Sequence, residues 1–250
     1  MIKAEGRNPV YEALRTHRAF KLMVAREVEK ENKIKQILKL SKAVGVPANF
    51  TSMAELDGLS ETGRHQGVIA YIKPSQIQTL KEIVEEMSDD SCLLLLEQVQ
   101  DPQNLGAILR TAESAAVCAV VIPKHGSVEL TPTVHRASMG GSLHVPLLRE
   151  NLHSTIKLLQ KNGIRIIGVD PTGPKEYFLE SLTGAAAFVL GGEDRGISPL
   201  LLGKCSKVIR IPMRGKIESL NVSVSTALIL YERLRQQTTK DTTLESNQQY

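Results

Sequence analysis

The chain has 250 residues, of which 42% are hydrophobic and 23% are charged, and its formal net charge is +4. This is the composition of a folded globular protein, and it excludes a chain that is disordered throughout. No apolar run approaches the roughly 18 residues of a membrane-spanning helix, and the first residues lack the apolar stretch of a signal peptide. Three separated cysteines, Cys92, Cys118 and Cys205, match neither a disulfide framework nor a metal-ligand spacing. We therefore expect a cytoplasmic protein without a metal site.

The positive charge is concentrated at the front of the chain. Residues 1–75 carry thirteen Lys and Arg against eight Asp and Glu, whereas the remainder carries eighteen against nineteen. A basic segment joined to a near-neutral body is typical of a module that binds a polyanion such as nucleic acid. A solvated helix face explains the same charges equally well, because lysines alternate with isoleucine and leucine over residues 33–40.

The first 75 residues predict a small domain of alternating helices and strands. Its predicted elements are a helix capped by Asn8 with Pro9 in its first turn, a strand over residues 20–25, a helix over residues 31–43, a capping box from Ser52 to Glu55, and a strand over residues 67–72. Alternation of this kind indicates a layered α/β domain.

The second part alternates again, after a polar linker that runs into a helix over residues 76–90. Strands are predicted over residues 92–99, 118–123, 164–170, 186–192 and 207–212, and helices over residues 105–116, 152–162 and 222–234. Buried strands separated by helices predict a mostly parallel sheet that is covered on both faces. Such sheets bind ligands beyond the carboxyl ends of their strands. Residues 237–250 have little to bury and are predicted to form a flexible tail.

Three loops at predicted strand ends contain candidate functional residues. In DPQNLGAILRTA, Asn104 can cap a helix that places Arg110 among apolar residues. In GGEDRGIS, glycines surround Glu193, and the lysine of a phosphate-binding P-loop is missing. In IPMRGKIESLNVSVSTALILYE, Ser219 and Asn221 precede a long apolar helix. A helix cap, a snorkelling arginine or an ordinary glycine turn explains each loop alone, but three such loops in order indicate a functional site.

These three segments resemble, in order and position, the three motifs of the SpoU-type (TrmH-like) RNA ribose 2′-O-methyltransferases. The front end resembles the ribosomal-RNA branch of that family, through GRNPVYEAL at Gly6 and HQGVIAYI at His65. The resemblance implies a SPOUT α/β fold with a deep trefoil knot, a homodimer, and S-adenosylmethionine as the cofactor. It implies an RNA substrate-binding domain similar to the ribosomal L30e/L7Ae modules over residues 1–75, a linker over 76–90, a methyltransferase domain over 91–236 and a tail over 237–250.

The resemblance also assigns site residues. The catalytic set that it implies is Asn104, Arg110, Glu193, Ser219 and Asn221. The cofactor-binding set is Leu190, Gly191, Gly192, Gly196, Ile211, Met213 and Leu220. The RNA-binding set is Arg7, Arg15, Arg18, His65 and Arg136. We interpret Arg110 as a phosphate-binding group that stabilises the developing alkoxide, because a guanidinium with a pKa above about 12 is a poor general base.

The implied reaction is methyl transfer to a ribose 2′-hydroxyl, with a guanosine of large-subunit ribosomal RNA as the expected target. One alternative is a ribose methyltransferase of the same fold that acts on transfer RNA or confers antibiotic resistance. Another is a non-catalytic RNA-binding factor in ribosome assembly, which the intact motif residues disfavour. Because aromatic residues make up only 4% of the chain and tryptophan is missing, we expect phosphate contacts rather than base stacking to dominate RNA binding.

Overall fold

The computed structural model describes residues 2–74, 78–192 and 196–247, with side chains as far as Thr239. The first half of the chain forms β1 (Ile2–Glu5), α1 (Arg7–Arg15), β2 (Ala19–Ala25), α2 (Asn32–Ala43), β3 (Ala48–Thr51), α3 (Met53–Leu59), β4 (Val68–Ile72), α4 (Leu80–Glu86), β5 (Cys92–Leu96) and α5 (Pro102–Ser114). The second half forms β6 (Ala119–Ile122), α6 (Pro132–Ala137), β7 (Leu147–Arg149), α7 (Leu152–Lys161), β8 (Arg165–Val169), β9 (Lys175–Glu176), β10 (Ala186–Leu190), α8 (Pro199–Leu202), β11 (Lys207–Arg210) and α9 (Val222–Asn247).

The chain divides into two compact units. The N-terminal unit comprises Met1–Ile77, Asp101–Glu113 and Val128–Pro146, and the second unit comprises the rest. The sheet of the N-terminal unit has the order β1-β4-β2-β3, with β4 antiparallel to both β1 and β2, and β3 parallel to β2. Helical spacing of apolar residues in α1 and α2 explains why Leu14 and Ile37 are fully buried in its core.

The second unit is built on a seven-stranded sheet of order β7-β6-β5-β10-β8-β11-β9, in which all pairs are parallel. Strands β5 (CLLLL) and β10 (AAFVL) are buried along their whole length. Strands without polar residues are what a parallel sheet with both faces covered requires. The prediction of a small α/β domain followed by a mostly parallel sheet is confirmed.

Helix α9 is tied to the amino edge of this sheet by one buried arginine. Arg233 is 2% exposed, and its guanidinium donates to the carbonyl oxygens of Gly184 at 3.0 Å and Asp90 at 2.7 Å. It also donates to the carbonyl oxygen of Leu182. Strands β5 and β10 begin just after these acceptors, so α9 is held beside the start of the two central strands.

Two predicted helix caps are wrong. Helix α1 starts at Arg7 with Gly6 as its cap, so Asn8 lies inside the first turn. In α5, Asp101 accepts the main-chain N–H of Gln103 at 2.8 Å. Asn104 is therefore a residue of the first turn of α5 rather than its cap.

The end of the chain also differs from the prediction. Helix α9 continues to Asn247, through most of the segment predicted as a flexible tail. Neither glycine nor proline occurs after Val222, so nothing in the sequence interrupts the helix. Residues 248–250 lie outside the described residues.

Candidate functional site

The carboxyl ends of four neighbouring strands meet at one edge of the sheet in the second unit. Strands β5, β10, β8 and β11 lie side by side, and the chain leaves them at Glu97, Gly191, Asp170 and Ile211. Parallel strands end at the same edge, so the predicted glycine loop and the IPMRGK loop both begin there. This edge is the candidate cofactor site.

The glycine loop after β10 is closed by main chain packed against main chain. The N–H of Gly192 donates to the carbonyl oxygen of Gly196 at 3.2 Å, and the two residues form an isolated antiparallel bridge. A Cβ atom at Gly191 would lie 2.0 Å from the carbonyl carbon of Gly196. Only glycine fits there, and a ligand at this loop would meet main-chain groups. Residues 193–195, which include the predicted catalytic Glu193, lie outside the described residues.

Glu97 holds both ends of the glycine loop, and the sequence analysis missed it. Its N–H donates to the carbonyl oxygen of Leu190 at 2.9 Å. Its carboxylate accepts the N–H of Ser198 at 2.8 Å. A lone acidic residue directly after the apolar run CLLLL is the signal that could have identified it, because carboxylates are excluded from the strand itself.

A cavity of about 530 Å³ lies beside the third loop. Its walls include the predicted cofactor-binding residues Ile211 and Met213, together with the carboxylates of Glu176 and Glu218. Leu220 is 38% exposed and does not belong to this wall. The volume is within the range of roughly 300–1,000 Å³ that is typical of small-molecule sites.

Asn221 caps helix α9. Its side-chain oxygen accepts the N–H of Ser223 at 2.8 Å and the hydroxyl of Ser223 at 2.6 Å. The capping role that the sequence analysis gave as an alternative is confirmed, and Asn221 is exposed all the same. Ser219 lies two residues earlier and is also exposed.

Asn104 and Arg110 are both on α5, in a part of the helix that belongs to the N-terminal unit. Asn104 is half-buried, and Arg110 is exposed rather than enclosed by its apolar neighbours. The main chain of α5 is contacted closely at this point, since a Cβ at Gly141 would lie 3.1 Å from the Cα of Arg110. Ser219 and Asn221 belong to the second unit, so the predicted catalytic residues are divided between the two units.

Helix α6 and the segment after it contain a buried network around His135. The Nδ1 atom of His135 lies 2.8 Å from the hydroxyl of Ser142, which in turn lies 2.8 Å from the hydroxyl of Ser138. Burial lowers the pKa of His135 to about 4, and the positive charge of Arg18 adds to this effect. The ring is therefore neutral at pH 7 and has a structural role. The predicted RNA-contact residue Arg136 is half-buried beside it.

Two of the other predicted RNA-contact residues form ion pairs within the protein. Arg7 lies 2.7 Å from the carboxylate of Glu31. Arg15 lies 3.3 Å from the carboxylate of Glu12 on the same helix. Both pairs are partly exposed, so a phosphate can compete for either guanidinium.

Arg18 and His65 have partners within the N-terminal unit as well. Arg18 donates from two guanidinium nitrogens to the carbonyl oxygen of Lys73, at 3.3 and 3.2 Å, and burial lowers its pKa. His65 is 4% exposed, with Nε2 2.9 Å from Asp57 and Nδ1 accepting the N–H of Gly67 at 3.1 Å. Its contact with RNA stays a prediction, while the structure gives the ring a role in holding the chain before β4.

The remaining titratable groups offer no second reaction centre within the described part of the chain. Burial raises the pKa of Cys92 and of Cys205 to about 11, so both thiols stay protonated. No group of three or more His, Cys, Asp or Glu residues is placed to hold a metal ion among the residues that the structure describes. None of the described helices has the length and apolarity needed to cross a membrane.

Similarity to known proteins covers almost the whole chain. Residues 91–231 match the model of the SpoU rRNA Methylase family, and residues 3–78 match that of RNA 2'-O ribose methyltransferase substrate binding. The chain is 37% identical over 234 residues to a "Putative TrmH family tRNA/rRNA methyltransferase" of Staphylococcus saprophyticus subsp. saprophyticus, which covers 92% of this chain and 94% of that protein.

A second relative and a solved structure extend this similarity. The 23S rRNA (guanosine-2'-O-)-methyltransferase RlmB of Pseudomonas putida is 36% identical over 218 residues, which is 86% of this chain and 88% of that protein. The SpoU methyltransferase AviRb of Streptomyces viridochromogenes, solved in complex with AdoMet, superimposes with a TM-score of 0.80 at 21% identity over 95% of this chain and 90% of that chain. The superposition confirms the predicted fold class.

Proposed function

The chain belongs to the SpoU rRNA methylase family and is an RNA ribose 2′-O-methyltransferase, and we propose that it methylates a guanosine of large-subunit ribosomal RNA, using S-adenosylmethionine as the methyl donor. The observation that carries this proposal is the presence, on one chain, of the methylase segment and a separate RNA-binding segment in front of it. The relative named for 23S rRNA guanosine is similar to this chain over 88% of its own length. We place this activity in the cytoplasm, where ribosomes are assembled.

The carboxyl edge of the second unit fits such a cofactor. Gly191 and Gly192 have no side chains of their own, so a ligand at this loop meets main-chain groups, which suit the edges of an adenine ring. Ile211 and Met213 line an adjoining cavity with apolar atoms. When bound, S-adenosylmethionine supplies the electrophilic methyl group. The chain's part is to hold this ligand and to exclude water from it.

Arg110 binds the phosphate next to the target ribose in this proposal. Its guanidinium is exposed on α5, and a fixed positive charge favours the alkoxide that develops as the ribose oxygen attacks. The proton leaves through that phosphate or through water, because charged arginine has no acceptor. Asn104, six residues or about 1.7 turns earlier on the same helix, orients the phosphodiester. Asn221 and Ser219 shape the site near the methyl donor.

The function is tested by incubating the full chain with radiolabelled S-adenosylmethionine and unmodified ribosomal RNA. We expect label at a single guanosine of the large-subunit RNA, mapped by resistance of its 3′ linkage to alkali. A matched RNA with a 2′-deoxy sugar at that position must accept none. Label in transfer RNA instead would overturn the substrate assignment. RNA binding without transfer to any RNA would identify a non-catalytic binding factor.

The role of Arg110 is tested by single-turnover kinetics of Arg110→Lys. Lysine keeps the charge but loses the planar, two-pronged contact with phosphate, so we expect a loss of about 100-fold in the transfer rate. Arg235→Lys is the matched control, because Arg235 is exposed on α9 and pairs with Glu232 at 2.7 Å. Near wild-type transfer by Arg110→Lys would contradict a role that depends on guanidinium geometry.

We also propose that the chain is a homodimer. The second unit exposes several large apolar side chains around the third loop and α9, and these include Ile217 at 73% and Tyr231 at 54%. Such side chains are depleted on monomer surfaces and enriched in the centre of interfaces. Sedimentation equilibrium should give twice the chain's mass of 27.4 kDa, and a monomer at micromolar concentration would contradict this proposal.

A further inference from the structure

Two aromatic rings lie together on the sheet of the N-terminal unit. The ring centroids of Phe20 and Tyr71 are 6.4 Å apart, with 44° between the ring planes. Phe20 is 37% exposed although it is a phenylalanine in the second residue of a strand. In a chain with only four phenylalanines and five tyrosines, this pair on the surface is an unusual use of aromatic side chains.

A β-bulge brings the two rings together. Ala19 pairs with Ile72 and Lys21 pairs with Tyr71, so Phe20 is an extra residue between two successive pairs. A bulge of this kind locally re-aims a side chain, and bulges are common beside functional sites. Its effect here is to set Phe20 beside Tyr71.

Three cations lie next to the pair in the chain, and one of them contacts a ring. The ammonium group of Lys21 lies 5.4 Å from the centroid of the Tyr71 ring, and Arg18 is bound to the carbonyl oxygen of Lys73 just beyond the two strand ends. Lys73 itself is exposed. Within the described residues, none of these three cations forms an ion pair with a carboxylate, so their charge is available to an anionic ligand.

We propose that Phe20 and Tyr71 form a stacking site for one unpaired base of the RNA substrate, with Lys21, Lys73 and Arg18 facing its phosphates. Aromatic rings next to unpaired cations are the chemistry that binds single-stranded nucleic acid, because every base has a face that can stack while its backbone is negative. A protein partner is disfavoured by the uncompensated positive charge at the centre of the patch. The inference rests on the proposed function only in taking RNA as the ligand.

The test is binding of the full chain to a single-stranded RNA that contains one 2-aminopurine, a base whose fluorescence changes on stacking. We expect Phe20→Ala to weaken binding by roughly 10-fold and to abolish the fluorescence change, since the loss of one stacked base has an effect of this order. Phe20→Trp should bind at least as tightly as the wild type, which separates stacking from a defect in folding. Binding to duplex RNA, which has no free base, should not change.

Phe50→Ala is the matched control. Phe50 is also 37% exposed in the same unit, but it pairs with Val24 and therefore lies on the opposite face of the sheet from Lys21 and Tyr71. The proposal is overturned if Phe20→Ala binds within twofold of the wild type, or if Phe50→Ala loses as much affinity. Methyl transfer to ribosomal RNA is measured in parallel. If the wild type transfers methyl groups and Phe20→Ala has no effect on RNA binding, the stacking site alone is refuted. If RNA binding depends on Phe20 but no transfer occurs, the stacking site is supported and the proposed function is refuted.

A salt titration separates the charges from the rings. Lys21→Gln should reduce the slope of log affinity against log salt by about 0.7, the value for one phosphate contact on a single strand. Phe20→Ala should leave that slope unchanged. An unchanged slope in Lys21→Gln would overturn the assignment of Lys21 to a phosphate.

Discussion

Two glycine-containing turns of the molecule are held in different ways. The loop from Gly191 to Gly196 in the second unit is closed by main chain on main chain, and a Cβ at Gly191 would lie 2.0 Å from a carbonyl carbon. The turn at Gly140 in the N-terminal unit has φ +99°, and a Cβ there would meet the flexible side chain of Glu12 at 2.6 Å. The same turn is tied by His144 to that carboxylate at 2.8 Å.

The difference lies in what each turn can tolerate. A main-chain contact cannot yield without moving the loop, so the conformation of the glycine loop depends on steric fit at Gly191. The turn at Gly140 is held in addition by polar side chains, through the ion pair of Glu12 with His144 and the buried hydrogen bond of His135 with Ser142, and salt weakens an ion pair of this kind. The main-chain closure of the candidate cofactor loop should therefore respond little to solution conditions, whereas the turn beside α5 should respond to them.

Gly191→Ala tests the first half of this comparison and should have the largest effect. The added methyl forces the main chain apart, and we expect the free energy of unfolding to fall by about 3 kcal/mol, with loss of S-adenosylmethionine binding by calorimetry. Gly58→Ala is the control, because no heavy atom lies within 4 Å of its added Cβ. If Gly191→Ala is as stable as Gly58→Ala, the loop is not specified by shape.

The pH dependence of stability tests the second half. The pKa of His135 is lowered to about 4 in the folded chain, below its unfolded value of about 6.5. Between these two pKa values the unfolded state binds a proton and the folded state does not. The contribution of neutral His135 to the free energy of unfolding is therefore fully present above pH 6.5 and is lost as pH falls towards 4. Urea unfolding should show a loss of about 2 kcal/mol between pH 7 and pH 5. His135→Gln should remove this dependence, and its persistence would point to another group.

Glu97→Ala measures how much the glycine loop depends on a side chain. The N–H of Ser198 loses a carboxylate acceptor at 2.8 Å, and we expect a loss of about 1–2 kcal/mol in the free energy of unfolding. Glu97→Gln keeps an acceptor oxygen and should lose less than half as much. A loss in Glu97→Ala that exceeds that of Gly191→Ala would reverse the comparison.

Glu12→Gln should have the smallest effect. Glu12 lies 2.8 Å from His144 and 3.3 Å from Arg15, but the pairs are partly exposed, so we expect a loss below about 1 kcal/mol that shrinks in high salt. A double-mutant cycle with His144→Ala isolates the coupling. A coupling that does not change between low and high salt would show that this contact is not electrostatic.

Much of the fold was predictable because the strands of the second unit are short runs of apolar residues. A run such as CLLLL predicts a buried strand, because five apolar residues are too few for a buried helix. Strand β1 (IKAE) was not predicted, because Glu5 is fully buried through hydrogen bonds from Ser60 and Thr62, residues distant in sequence. Strand β9 has only the two polar residues Lys175 and Glu176 and gives no pattern at all.

The candidate site shows the same limit. Three features could be predicted from the sequence because they depend on local spacing: the glycine loop, the cap at Asn221 and the N-cap at Ser52. In the last of these, the hydroxyl of Ser52 accepts the N–H of Glu55 at 3.2 Å. The roles of Glu97 and His135 were not, because they arise from contacts between segments far apart in the chain. The trefoil knot and the domain boundaries stay predictions of the family resemblance.

Helix α9 has a consequence for insertions and deletions. Its first turn is capped by Asn221, which ends the loop that leaves the sheet at Ile211, and Arg233 is anchored at the amino edge of the sheet. The number of helical residues between Asn221 and Arg233 therefore fixes the distance from the cap to the anchor. One residue added between them would shift Asn221 by about 1.5 Å and rotate it by about 100°. The third loop would then be out of register with the sheet although none of its own residues had changed. The spacing between these two positions is therefore as much a part of the site as their identities.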